Sequence, residues 1–188
     1  MSYRIIPLRT LRATSGVIFS EMAKSDIPRI NGIDRVVHAP NSISPGPILD
    51  TPIPTQRPWY MHKFQADNLM VVQGVRYVDI FDPKTKQKNS FVISPNEIFK
   101  NDKLYYQGPA MLVWPEGIFH RIVSGVEGSI SINFSTRTKG FDIRDNFNIY
   151  NLCTRTGEYY ILRDGFEDQP IIDYIYPSKE LENLVKQD

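Results

Sequence analysis

The stretch Trp114-Pro115-Glu116-Gly117-Ile118-Phe119-His120 decides how this chain is read. An apolar run, Ala110–Trp114, stops at a proline, and the Pro-x-Gly that follows makes a tight turn. His120 then opens the next strand. Side chains two apart on a strand share a face, so a histidine at the start of an antiparallel strand can be pointed into a barrel interior.

A second stretch carries the same kind of information: Tyr60-Met61-His62-Lys63-Phe64-Gln65-Ala66-Asp67, continuing to Gly74. Alternation puts Tyr60, His62 and Phe64 on one face, with Trp59, Met61 and Lys63 on the other. Asp67 follows across a short turn on a returning strand. A histidine and a carboxylate from adjacent strands are thereby brought toward one interior.

The rest of the chain agrees with an all-β reading. Short runs rich in Val, Ile, Phe and Tyr are separated by turn residues, with strands expected at Met70–Gln73, Arg76–Phe81, Phe91–Ile93, Ala110–Trp114, Ser129–Ser135 and Glu158–Leu162. Asp82-Pro83, Ser94-Pro95-Asn96, Gly108-Pro109, Gly125 and Gly128 mark the breaks. Residues 1–58 differ. Six prolines between positions 40 and 58 exclude a central strand or helix there, and Ile43, Ile48 and Ile53 among them can dock. This reads as an extended N-terminal arm (1–58) laid over a barrel (59–176) or over a second subunit. A short helix is expected after Pro177, with Ser178 as N-cap and Leu181, Leu184 and Val185 on one face, closing the chain at 177–188.

Composition narrows the function classes. The 188 residues carry 22 basic and 21 acidic side chains, which argues against nucleic acid as a partner. No run approaches the ~18 apolar residues of a membrane span, and arginines interrupt the apolar N-terminal positions where a signal peptide would be continuous. A cytoplasmic protein is expected. The lone Cys153 makes no internal disulfide and reads as a small buried residue; His38, inside the arm, reads as an ordinary surface histidine. The long arm, able to cover a sheet edge, leads to the expectation of a homodimer.

The two stretches together resemble the motifs of the cupin superfamily. His62, Asp67 and Gly74 match in register the second histidine, the glutamate (here aspartate) and the glycine of the first motif, while Tyr60 stands at the first histidine. Pro115, Gly117 and His120 match the second motif. Ser124 replaces its asparagine, and its leading glycine falls at Pro109. The resemblance spans about residues 57–136. It implies a double-stranded β-helix, or jelly roll, with a site in its mouth.

That resemblance also implies a ligand set, His62, Asp67 and His120, for one divalent metal: Fe, Zn, Mn or Ni. The leading functional reading is a metal-dependent small-molecule enzyme of dioxygenase, isomerase or lyase type, with Tyr60 as acid or hydrogen-bond donor. The alternative is a metal-free sugar epimerase or isomerase, with His62 as the base, Tyr60 beside it, and Arg57 meeting a phosphate. A non-catalytic cupin binding a small molecule is the third.

Overall fold

The computed structural model describes residues 2–26 and 29–167. Along these residues lie β1 (Arg4–Pro7), β2 (Arg9–Thr14), β3 (Val17–Glu21), β4 (Gly32–His38), β5 (Ile43–Ser44), β6 (Trp59–Met61), β7 (Gln65–Asp82) and β8 (Gln87–Ile93). They are followed by β9 (Glu97–Lys100), β10 (Lys103–Gln107), β11 (Ala110–Trp114), β12 (Phe119–Arg137), the single-turn helix α1 (Ile143–Asn146), β13 (Ile149–Leu152) and β14 (Tyr159–Arg163). The helix expected after Pro177 lies outside the described residues.

Two long strands set the architecture. β7 and β12 pair antiparallel along nearly their whole lengths, from Phe119 opposite Phe81 to Arg137 opposite Gln65. The register slips between Ser124 and Ser129, and Gly74 and Gly128 both sit there at positive φ. This irregularity reverses which residues point inward. On β7 the inward set is Asp67, Leu69 and Val71 before Gly74, then Arg76, Val78 and Ile80 after it, all of them buried. On β12 it is His120 and Ser124 before the slip, then Ser129, Ser131, Asn133 and Ser135 after it. The breaks expected at Gly125 and Gly128 are therefore bends inside one continuous strand, and the strands expected at Met70–Gln73 and Arg76–Phe81 are two halves of β7.

The sheet runs β10-β9-β8-β7-β12-β6-β13-β14, with β11 added on β7 and β4 and β5 added on β12. Within residues 1–58, three strands join it. β1 pairs with β11, β4 pairs with β12 over seven residues from Gly32 to His38, and Ile43–Ser44 pair with Val123 and Ile122. β2 and β3 form a separate two-stranded sheet.

Between the sheet halves lies the main apolar core, with Leu69, Val78, Ile80, Phe91, Ile93, Ile98 and Leu112 among its members. Burying each such side chain stabilises by about 1.5–3 kcal/mol. A second cluster of Trp59, Met61, Phe81, Phe119, Tyr150 and Leu152 backs the site from behind the sheet. No helix among the described residues is long and apolar enough to cross a membrane.

Candidate functional site

The first strand of the site is short. β6 ends at Met61, so His62 begins the turn into β7; Tyr60 and His62 both line the cavity. Phe64, expected on the same face, is exposed because the strand has ended before it. His120, at the start of β12, pairs with Tyr60 on one side and with Ile80 on the other. Asp67 enters from the first half of β7. The three side chains of His62, Asp67 and His120 are buried, and their ligand-type atoms all lie within 4.8 Å of one another. His62 Nε2 is 3.5 Å and His120 Nε2 3.9 Å from Asp67 Oδ2.

Backbone and amide groups fix these orientations. His62 Nδ1–H donates to the carbonyl of Asn146 at 2.5 Å, which turns Nε2 toward Asp67. His120 Nδ1 faces the carbonyl of Ile118 at 3.4 Å, with the same consequence. Asn146 is held in place by α1, whose N-cap Asp142 accepts from the Arg144 N–H. On the other side, Asp67 Oδ1 accepts from Asn133 Nδ2 at 2.7 Å and from Gln65 Nε2 at 2.9 Å. One carboxylate oxygen is thus engaged by two amides, and the other faces both imidazoles.

Burial holds the His120 imidazole down at about 4, with nearby His62 acting in the same direction and Asp67 and the Ile118 carbonyl opposing. His120 is accordingly neutral at physiological pH. The ring of Tyr60 lies 6.0 Å from that of His120 and 6.5 Å from that of His62. Phe147 packs edge-on against both Tyr60 and His62. Trp114, whose ring centroid is 5.1 Å from that of His120, completes the apolar wall.

These groups open onto a cavity of about 130 Å³. A single water needs ~10–15 Å³ on the same measure, so the space suits a small metabolite. Its lining extends away from the histidines to Asp34, Val36 and His38 on β4 and to Arg76 on β7.

Several residues stand elsewhere than the sequence predicts. His38, read as a surface histidine, lines the cavity; burial and the charge of Arg76 lower it to about 4. Cys153 is exposed, not buried. Arg57, expected to meet a phosphate beside His62, does not line this cavity but a separate hollow with Asp79 and Tyr77. Gln65, Asn146 and Arg76 were not singled out at all. The amides have no motif spacing, and Arg76 lies one residue past a bulge that reverses strand alternation.

No protein-family model and no curated protein matches the chain. Among solved structures, a dTDP sugar isomerase from Desulfovibrio desulfuricans G20 superposes with a TM-score of 0.51 at 13% identity, covering 73% of this chain and 80% of that one. The fold is a cupin-type jelly roll. QdtA, a sugar 3,4-ketoisomerase from Thermoanaerobacterium thermosaccharolyticum in complex with TDP, superposes with a TM-score of 0.49 at 12% identity, covering 75% and 83% of the two chains. Within this cupin-like barrel His62, Asp67 and His120 stand where β6 ends and β7 and β12 begin.

Proposed function

We propose that this protein is a small-molecule isomerase that moves a proton from a hydroxyl-bearing carbon beside a carbonyl of a sugar-like substrate to the carbonyl carbon, the hydroxyl proton passing to the former carbonyl oxygen. The observation that carries this reading is the convergence of His62 Nε2, His120 Nε2 and Asp67 Oδ2 on one point of a small cavity with apolar walls. Its Nδ1 proton committed to the Asn146 carbonyl, His62 presents Nε2 as the base. Asp67 steadies the imidazolium that results. Tyr60, on the opposite side of the histidine pair, is the hydroxyl that hydrogen-bonds the substrate oxygen. The activity named for the Desulfovibrio protein of the same fold supports this chemistry over the other classes.

The test uses keto-sugars, free and dTDP-linked, incubated with the protein in deuterium oxide and followed by proton NMR. Loss of a C–H signal beside the carbonyl is expected. His62→Gln keeps a donor for the Asn146 carbonyl but removes the basic nitrogen, and should slow exchange by about 10²–10⁴-fold. Absence of exchange on every keto-sugar would overturn the reading.

A second reading has its own observation. With both Nδ1 atoms turned to carbonyls and Asp67 Oδ1 engaged by amides, three lone-pair atoms converge, and 3.5 Å between His62 Nε2 and Asp67 Oδ2 is close to the roughly 3.4 Å expected of neighbours in a tetrahedral shell. His62, Asp67 and His120 would hold a divalent ion, which when bound polarises a carbonyl. Elemental analysis of protein purified without added metal or chelator separates the two readings. Tyr60→His, which supplies a fourth donor and the third imidazole of the set, should raise metal affinity if the ion belongs there.

We also infer a homodimer. The β2–β3 hairpin pairs only with itself among the described residues, yet exposes Leu11, Ile18 and Phe19 at 59, 70 and 53%. An isolated hairpin is marginal in water, so a second copy of the chain packing around this hairpin accounts for it.

A further inference from the structure

The end of the cavity away from the histidines holds a charge that the proposed proton transfer does not use. Arg76 is 1% exposed, and it lines the cavity. Its Nε donates to Ser129 Oγ at 3.0 Å and one Nη to the carbonyl of Val36 at 3.1 Å. Both partners are neutral, and among the described residues no carboxylate pairs with this guanidinium. Asp34, the nearest acidic group on β4, is held by Arg137 at 3.2 Å and by Asn133. Burial lowers Arg76 only to about 10, so it stays cationic at neutral pH.

A buried cation without a counter-charge is costly. Beside it, His38 also lines the cavity, and its Nδ1 is buried without a hydrogen-bond partner. Two polar groups on the strands that flank β12, one a cation and one an unsatisfied ring nitrogen, thus line the same small cavity. An anion placed there pairs with the guanidinium and, in the tautomer that carries its proton on Nδ1, accepts from the His38 ring as well.

We propose that Arg76, with His38 beside it, binds a carboxylate group of the substrate, so that the site takes a sugar acid or oxo-acid in preference to a neutral sugar. This rests on the isomerase reading for the chemistry at the other end of the ligand. The span is set by the strands: Arg76 reaches the carbonyl of Val36, and Asp34, two residues away on β4, stands at the level of Asn133 and Asp67. Two residues of strand are roughly 7 Å. A carboxylate and a carbonyl separated by a few carbons fit that distance. A planar guanidinium fork suits a carboxylate held by paired N–H donors.

The test is calorimetric and needs no turnover. D-glucuronate and 4-oxopentanoate are each titrated against their neutral amides, which have the same shape. The acids should bind the native protein about 10–100-fold more tightly than the amides, the range of one charged hydrogen-bonded contact. Arg76→Met should abolish that preference by weakening the acids far more than the amides, and Arg76→Lys, which keeps the charge but loses the fork, should fall between. Near-ultraviolet circular dichroism checks each variant's packing; should Arg76→Met not fold, the acid-to-amide ratio of the native protein and its fall in Arg76→Lys decide. Equal binding of acid and amide, no binding of either acid at millimolar concentration, or a preference that survives loss of Arg76 overturns the proposal. Deuterium exchange reports on His62 separately. A lost exchange signal with an intact acid preference sinks the isomerase reading and leaves the carboxylate subsite standing.

Discussion

Asn133 Nδ2 donates to Asp67 Oδ1 at 2.7 Å, across the pair formed by β12 and β7, while Asn133 Oδ1 accepts from the Asn68 N–H at 2.8 Å. The backbone contact fixes which way the amide points, so the carboxylate receives a donor and not an oxygen. Asp67 therefore cannot rotate freely, and its second oxygen is committed to the histidines.

Asn133→Ala removes that donor and leaves Asp67 with Gln65 alone. A hydrogen bond to a charged group contributes about 1.5–3 kcal/mol, and the loss should appear as a lower midpoint in urea unfolding. Exchange activity should fall with it, because the carboxylate no longer holds one orientation. An unchanged midpoint and rate would mean that Gln65 alone positions Asp67.

Gly74 and Gly117 both have positive φ, near +73° and +78°, but their surroundings differ. A methyl group on Gly74 would meet the carbonyl oxygen of Gly128 at 2.1 Å, in the bend where β7 and β12 slip register. On Gly117 it would meet nothing within 4 Å. Gly74→Ala should thus cost more than about 2 kcal/mol, whereas Gly117→Ala should cost only the ~1–2 kcal/mol of the left-handed backbone itself. Paired urea titrations of the two variants check the order, and the reverse order would place the bend elsewhere.

Stability should decline as the solution is acidified through the histidine range. His38 is lowered to about 4 in the folded protein from 6.5, by burial and by Arg76. Between these two values the unfolded chain binds more protons than the folded one, so stability rises with pH there. It is fully present above 6.5 and is lost as the pH falls toward 4. His38→Gln should flatten this part of the unfolding-against-pH curve; a curve parallel to the native one would show that His38 does not contribute.

Sedimentation equilibrium at micromolar concentration should give twice 21.7 kDa. Ile18→Glu, on the exposed tip of the hairpin, should return the mass to a monomer without unfolding the barrel, since β2 and β3 stand apart from the main sheet. A native monomer would refute the covered hairpin.

Much of the fold was legible in the chain because it is written in local chemistry. Pro115-x-Gly117 can only be a turn, the β-branched and aromatic runs can only bury as strands, and the intervals His62–Asp67–Gly74 and Pro115–Gly117–His120 carry the cupin resemblance directly. Tyr60, His62, Asp67 and His120 could be named from those intervals. The polar shell around them could not. Gln65 and Asn146 reach Asp67 and His62 from two positions away on β7 and from 84 positions away, with no spacing to mark them, and the contact of Asn133 with Asp67 spans 66 positions. Arg76 and His38 were hidden for a sharper reason. Alternation along a strand tells which side chains share a face only while the strand is regular, and the slip at Gly74 inverts it, sending Arg76 inward. His38 faces the cavity because β4 lies beside β12 in the register that pairs His38 with Ser129, a long-range choice made by packing and not by any residue near position 38.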